Sequence, residues 1–195
     1  KEKGWQILGT GEMGIGNTTT ATATGCALLG LSPEAVTGRG AGLDDTGFRR
    51  KKEVIARALS QYDLYGRDAL TVLSTVGGLE IAGLAGIFIG GALHHVPVVL
   101  DGMITAVAAL VAERLLPGVR EYMIASHLSR EPITVKIMEE LGLHPVICAD
   151  LALGEGTGAA MLFPLLDMAL TVYRLNDSFD QMQIGAYERY EESEE

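Results

Sequence analysis

Cysteine is scarce in this chain: there are 2 in 195 residues, Cys26 and Cys148, both in apolar surroundings. Two thiols cannot build a disulfide framework, and their setting predicts buried, reduced side chains in a reducing compartment. No spacing of His, Cys, Asp and Glu matches a metal site. Basic charge is also short, with 15 Lys and Arg against 25 Asp and Glu, a net charge of −10. That balance excludes non-specific nucleic-acid binding. Long apolar runs are missing too. The longest, Ile81–Leu93, meets His94, His95 and Pro97 well before the roughly 20 residues of a membrane span. With no signal peptide in view, the expectation is a cytoplasmic protein that keeps off the membrane. General disorder is excluded by 48% hydrophobic and 21% charged residues.

Glycine is in excess, at 25 residues, where an average composition of about 7% would give roughly 14. The glycines fall between apolar runs, the pattern of turns that bring backbone close to something. Short apolar runs alternate with helical ones. Strands are expected at Trp5–Leu8, Val96–Leu100, Tyr122–Ala125 and Val146–Cys148. Helices are expected at Thr18–Leu29, Phe48–Leu59, Arg67–Val76, Leu79–Leu93, Ile104–Leu116, Pro132–Leu141 and Gly158–Tyr173. Ser32-Pro33 is a helix-start signal. The two apolar helices Leu79–Leu93 and Gly158–Tyr173 are expected to be buried, the first packing closely through Gly83, Gly86, Gly90 and Gly91. Strands separated by helices predict an α/β fold: a doubly wound, mostly parallel sheet with helices on both faces, Rossmann-like. Residues 1–175 form its core, and 176–195 an acidic, solvated tail.

Polar residues gather just past the expected strands, on the sheet edge where open α/β folds bind ligands. Three loops stand out. Gly11-Glu12-Met13-Gly14-Ile15-Gly16-Asn17-Thr18 joins a strand to a helix, the setting for anion capture by backbone N–H groups. It narrowly misses two known phosphate motifs. Asn17 stands where a P-loop has Lys, and Thr19 where a dinucleotide loop has its third Gly. What survives is a loop able to hold one phosphate, or an ordinary helix-capping turn. Glu12 inside it is awkward beside an anion, unless it faces a cation or a proton donor. Otherwise it is a surface residue.

The second loop, Gly38-Arg39-Gly40-Ala41-Gly42-Leu43-Asp44, offers alternate glycines for close backbone approach. It is followed by Arg49, Arg50, Lys51 and Lys52, which form either a solvated helix face or the phosphate's counter-charge. The third, Leu153-Gly154-Glu155-Gly156-Thr157-Gly158, opens a helix. Its Glu155 is either a helix-start acid or a general base, partly buried so that its pKa nears working pH. Asp101 after a strand is suited to a ribose hydroxyl. His127 is expected to be a satisfied structural histidine, and His94–His95 to face the C-terminal dipole of a helix.

These three loops, with Gly77-Gly78-Leu79-Glu80-Ile81-Ala82 and Val98-Val99-Leu100-Asp101-Gly102, resemble the nicotinate-nucleotide–dimethylbenzimidazole phosphoribosyltransferase family, in order from about Gly4 to about Tyr173. The resemblance implies phosphoribosyl transfer from nicotinate mononucleotide to 5,6-dimethylbenzimidazole in cobalamin lower-ligand synthesis, by a homodimer without metal or cofactor. It implies that Glu155 is the base and Glu12 a second catalytic carboxylate. Lys51, with Lys52 adjacent, falls at the substrate phosphate. Gly14, Gly16, Asn17 and Thr18 would hold that phosphate, and Met13 and Leu153 would line the base pocket. Ile15, Gly38, Gly40, Gly42, Asp101 and Gly154 complete the expected substrate-binding set. Another acceptor base, or nucleotide binding without turnover, remains open. Family proteins are considerably longer and the likeness is to their C-terminal part. With Lys1 rather than Met at its head, the chain is expected to be a fragment lacking part of the base pocket.

Overall fold

A computed structural model describes residues 2–175, 177, 179–183 and 185. One compact unit extends through Leu162, and a second starts at Phe163. The first unit is α/β. Its elements are β1 (Leu8–Gly9), α1 (Thr18–Leu29), α2 (Pro33–Val36), α3 (Asp45–Gln61), α4 (Ala69–Val76), α5 (Leu79–Leu93), β2 (Val98–Leu100), α6 (Met103–Leu115), β3 (Met123–Ala125) and α7 (Ile133–Leu141). The expected α/β class with a parallel sheet is what forms. The strand order is β1-β2-β3. Both pairings are parallel, with Leu8 opposite Val98 and Val98 opposite Met123. A parallel bridge between His127 and Ile147 continues the sheet past β3, so the expected strand Val146–Cys148 is reduced to one paired residue.

Successive strand side chains point to opposite faces. Val98, Val99 and Leu100 are all fully buried, so β2 is covered on both sides, as parallel sheets require. Behind it runs α6, buried without interruption from Met103 to Ala112. A helix apolar all round is a core helix, and α6 packs on α1, α4, α5 and α7. Helix α1 enters the same core in spite of its threonines. The Thr20 hydroxyl donates to the Asn17 carbonyl at 2.9 Å, and that of Thr22 to the Thr18 carbonyl at 2.7 Å. Hydroxyls folded back on the preceding turn are satisfied without water. The helix stops at Gly30, whose φ of 67° is left-handed.

Several expectations change. The first strand is Leu8–Gly9, and Trp5 is exposed. Helix α5 has the expected bounds but is half-buried: Ile81, Leu84 and Phe88 face the core while Leu79, Ile87 and Leu93 are exposed. Of its glycines, Gly91 makes a close approach, against Val98 and the Val96 carbonyl; among the described residues, no other element comes within 4 Å of a Cβ placed at Gly83, Gly86 or Gly90. Cys26 is buried and its thiol is pushed up to about 12 by burial. Cys148 is exposed, against expectation.

Helix α8 (Thr157–Leu175) carries the chain from the first unit into the second, where α9 (Phe179–Met182) follows. By length and composition alone α8 could cross a membrane, which no apolar run of the chain was expected to do. It is not the buried helix expected. Met168, Val172, Tyr173 and Leu175 are exposed. Most of the acidic tail lies outside the described residues.

Candidate active site

The first loop leaves β1 at Thr10, whose amide and hydroxyl both bond the Val99 carbonyl, at 3.0 and 2.7 Å. It then turns through Gly14 and Gly16, with φ of 76° and 78°, backbone that only glycine adopts freely. The Glu12 carboxylate accepts the Gly14 N–H. Asn17 is the N-cap of α1. Among the described residues its side chain makes no capping bond, and its buried Oδ1 has no partner. No acid occupies the first turn of α1, so the positive end of the helix dipole is uncompensated there.

The second loop is seated by charge. Lys51, on α3, is buried, and its ammonium donates to Thr18 Oγ1 at 3.0 Å and to the Gly38 carbonyl at 2.9 Å. Lysine has three N–H donors, and these contacts engage two of them. Burial pulls the Lys51 pKa below its ordinary value, and the Glu131 carboxylate opposes that shift. Glu131 also accepts the Gly40 N–H at 2.9 Å, while its other oxygen is buried with no partner among the described residues. A Cβ on Gly38 would collide with that carboxylate. Lys52 points elsewhere: it pairs with Glu34 at 2.7 Å and covers the Phe48 ring. Arg39 covers the same ring and is tied to Asp45.

The third loop lies backbone to backbone on the first. The Glu155 N–H donates to the Glu12 carbonyl at 3.0 Å. A Cβ on Gly11 would sit 2.5 Å from the Cα and N of Gly156. Asp101 is buried at the end of β2, with one carboxylate oxygen accepting from Gly156 N and the other from Gly158 N. His127 is buried beside it, Nδ1 at 3.0 Å from Ser126 Oγ, the satisfied structural histidine expected. Burial holds its imidazole below the ordinary pKa, while Asp101 raises it.

Between the loops is a cavity of about 690 Å³, within the range of roughly 300–1,000 Å³ common for small-molecule sites. Of the anticipated residues, Glu12, Met13, Gly14, Ile15, Thr18, Gly38, Gly40, Gly42, Asp101, Leu153 and Gly154 line it. Gly16, Asn17, Lys51 and Glu155 are absent from its walls, though Lys51 bonds two groups that form them. Glu155 is exposed, so the expected partial burial of its carboxylate does not hold. His127 also lines the cavity, a place the sequence reading ranked below a structural one, and Ser129, Arg130 and Glu131 are wall residues that reading missed. The polar run past β3 extends to Glu131, and that was the available signal.

A family model described as phosphoribosyltransferase matches residues 1–184. The chain belongs to this phosphoribosyltransferase family. Among curated members, nicotinate-nucleotide–dimethylbenzimidazole phosphoribosyltransferase of Acetivibrio thermocellus is 45% identical over 186 residues, which is 95% of this chain and 53% of the relative. The protein of that name from Thermus thermophilus is 47% identical over 173 residues, 89% of this chain and 51% of the relative. The crystal structure of CobT from Thermus thermophilus superposes with a TM-score of 0.87 at 45% identity, covering 94% of this chain and 55% of that one. The chain therefore spans about half the length of the phosphoribosyltransferases it matches.

Proposed function

We propose that this chain carries the phosphoribosyl-transfer machinery for moving the ribosyl phosphate of nicotinate mononucleotide onto 5,6-dimethylbenzimidazole, giving α-ribazole 5′-phosphate and nicotinate for the cobalamin lower ligand. The observation that carries this reading is the clamp between the first and third loops. The Glu155 N–H to Glu12 carbonyl bond at 3.0 Å holds two carboxylate-bearing turns together beside one cavity. At the cavity's other side lies an anion seat, made by the α1 N-terminus, Thr18 and the buried Lys51.

The chemistry follows from those positions. The substrate phosphate occupies the α1 N-terminus, held by Gly14, Gly16, Asn17 and Thr18, with Lys51 supplying charge. One benzimidazole nitrogen attacks C1′ from the face opposite nicotinate. The C1′–N bond to nicotinate breaks, and its electron pair neutralises the pyridinium nitrogen. The proton on the other benzimidazole nitrogen passes to the Glu155 carboxylate. Glu12 stabilises positive charge that develops on the ribosyl ring. Met13, Ile15 and Leu153 supply the apolar wall for the base.

That wall is open. Met13 is 61% exposed, Ile15 79% and Leu153 68%. The same openness favours a second reading, in which the acceptor is a different base and the phosphoribosyl seat is unchanged.

The test is mass spectrometry of the chain incubated with nicotinate mononucleotide and 5,6-dimethylbenzimidazole. The expected result is α-ribazole 5′-phosphate, and its loss by about 10²- to 10⁴-fold in Glu155→Gln. Normal turnover in that variant would overturn the mechanism. A chain that binds nicotinate mononucleotide without forming product would have an intact phosphoribosyl seat and an incomplete base pocket.

A further inference from the structure

We infer that Asp101 is a positioning residue for Glu155, rather than the ribose contact its place after a strand suggests. This inference rests on the assignment of Glu155 as the base.

Glu155 has a φ of 59°. Left-handed backbone is strained for a residue other than glycine, and it persists only where neighbours over-determine it. Here the determinants are visible. The residue's own N–H is bound to Glu12, and the Thr157 N–H closes the turn on the Gly154 carbonyl at 2.9 Å. The Asp101 carboxylate spans the other side. One oxygen accepts Gly156 N–H at 3.0 Å and the other accepts Gly158 N–H at 2.8 Å. These are charge-assisted bonds to donors directly downstream of Glu155. Both oxygens are thus turned on the loop backbone.

Asp101 is itself fixed. It is 4% exposed, and its N–H donates to Thr105 Oγ1 at 2.8 Å, whose hydroxyl donates to the Gly102 carbonyl at 2.8 Å. It directly follows β2, the fully buried strand. The loop is fitted to it tightly: a Cβ on Gly158 would collide with the His127 ring and lie 2.9 Å from Asp101 Oδ1. An exposed residue in an irregular loop is thereby tied to the end of the fully buried central strand. Asn at 101 preserves shape but turns an amide N–H₂ toward one of the two backbone donors, so one bond is lost and the other weakened.

Two readouts test this on the full chain. Amide exchange followed by NMR should show Gly156 and Gly158 protected in the parent and at least tenfold less protected in Asp101→Asn, with α6 amides unchanged. Undiminished protection at both glycines would overturn the proposal, whether or not the chain turns over. In the turnover assay, Asp101→Asn should lower kcat by up to roughly a hundredfold, the scale of a misplaced catalytic group. The KM for nicotinate mononucleotide should stay within about twofold. A raised KM with kcat intact would make Asp101 a ribose contact and overturn the proposal. In a Glu155→Gln background the Asp101→Asn change should add nothing, since the two act as one unit. Full additivity would contradict it. Full activity of Glu155→Gln alone would instead sink the assignment of the base, a separate failure. Gly158→Ala reaches the loop with Asp101 intact. It should reproduce both effects if Asp101→Asn does not fold, and an undisturbed loop in that variant would count against the proposal.

Discussion

At the residue scale, the two adjacent lysines separate cleanly. Lys51 is buried on Thr18 and Gly38, whereas Lys52 pairs with the exposed Glu34. Replacing Lys51 with Met should weaken nicotinate mononucleotide binding by about tenfold or more, the usual effect of losing a charge-assisted contact. Lys52→Met should leave affinity within about twofold, because an exposed pair contributes little. Isothermal titration of both variants checks this, and equal losses would contradict it. His127 offers a test through pH. Burial, the larger cause, holds its pKa below the ordinary 6.5 in spite of Asp101. The unfolded chain therefore takes up a proton first as pH falls through 6.5, and the folded state loses stability from there downward. His127→Gln should flatten that decline in urea midpoints measured between about pH 5 and pH 7. An unchanged slope would show that other groups set it. Loop glycines marked Glu12 and Glu155 as candidates, but Lys51 was singled out from Arg49, Arg50, Lys51 and Lys52 only through the family resemblance. Sequence could not show that Glu155 is exposed, or that Glu131 turns back on Gly38 and Gly40, since both depend on how separate loops meet.

At the scale of elements, the helices were the legible part. Thr18–Leu29 and Leu79–Leu93 have the bounds their punctuation predicts. Gly30 stops the first, and a turn at His94 stops the second. Helix α3 starts earlier than expected because Asp44 caps it, its carboxylate accepting Gly47 N–H at 2.7 Å. Asp44→Ala should cost about 1 kcal/mol of stability, read as a lower urea midpoint. No change would mean that the Arg39–Asp45 pair holds the helix start alone. Strands of two or three residues give too little periodicity to bound, and β1 began later than its apolar run. The first and third loops meet backbone to backbone at Gly11 and Gly156. Gly11→Ala should destabilise the chain by about 1–3 kcal/mol, the ordinary range for overpacking, and should disturb the third loop in an NMR spectrum. A neutral substitution would show that the two loops can part without cost.

At the scale of the whole molecule, composition and alternation were enough for an α/β class with a parallel sheet, because buried strands and intervening helices leave that pattern in any order of loops. They were not enough for the second unit. Helix α8 is apolar along its length, and a buried helix and an exposed apolar one look alike in sequence; the exposed Met168, Val172 and Leu175 distinguish them only in space. The central claim is that the first unit, by itself, builds a seat for the phosphate of a nucleotide between its first two glycine loops. Backbone NMR of the chain titrated with nicotinate mononucleotide tests it without requiring turnover. The account predicts that the largest shifts fall on the amides of Gly14, Gly16, Asn17 and Thr18, with Gly38 and Gly40 following. It further predicts that Lys51→Met needs about tenfold or more ligand to reach the same shifts. Shifts concentrated away from the α1 N-terminus, or unaltered in Lys51→Met, would contradict the account.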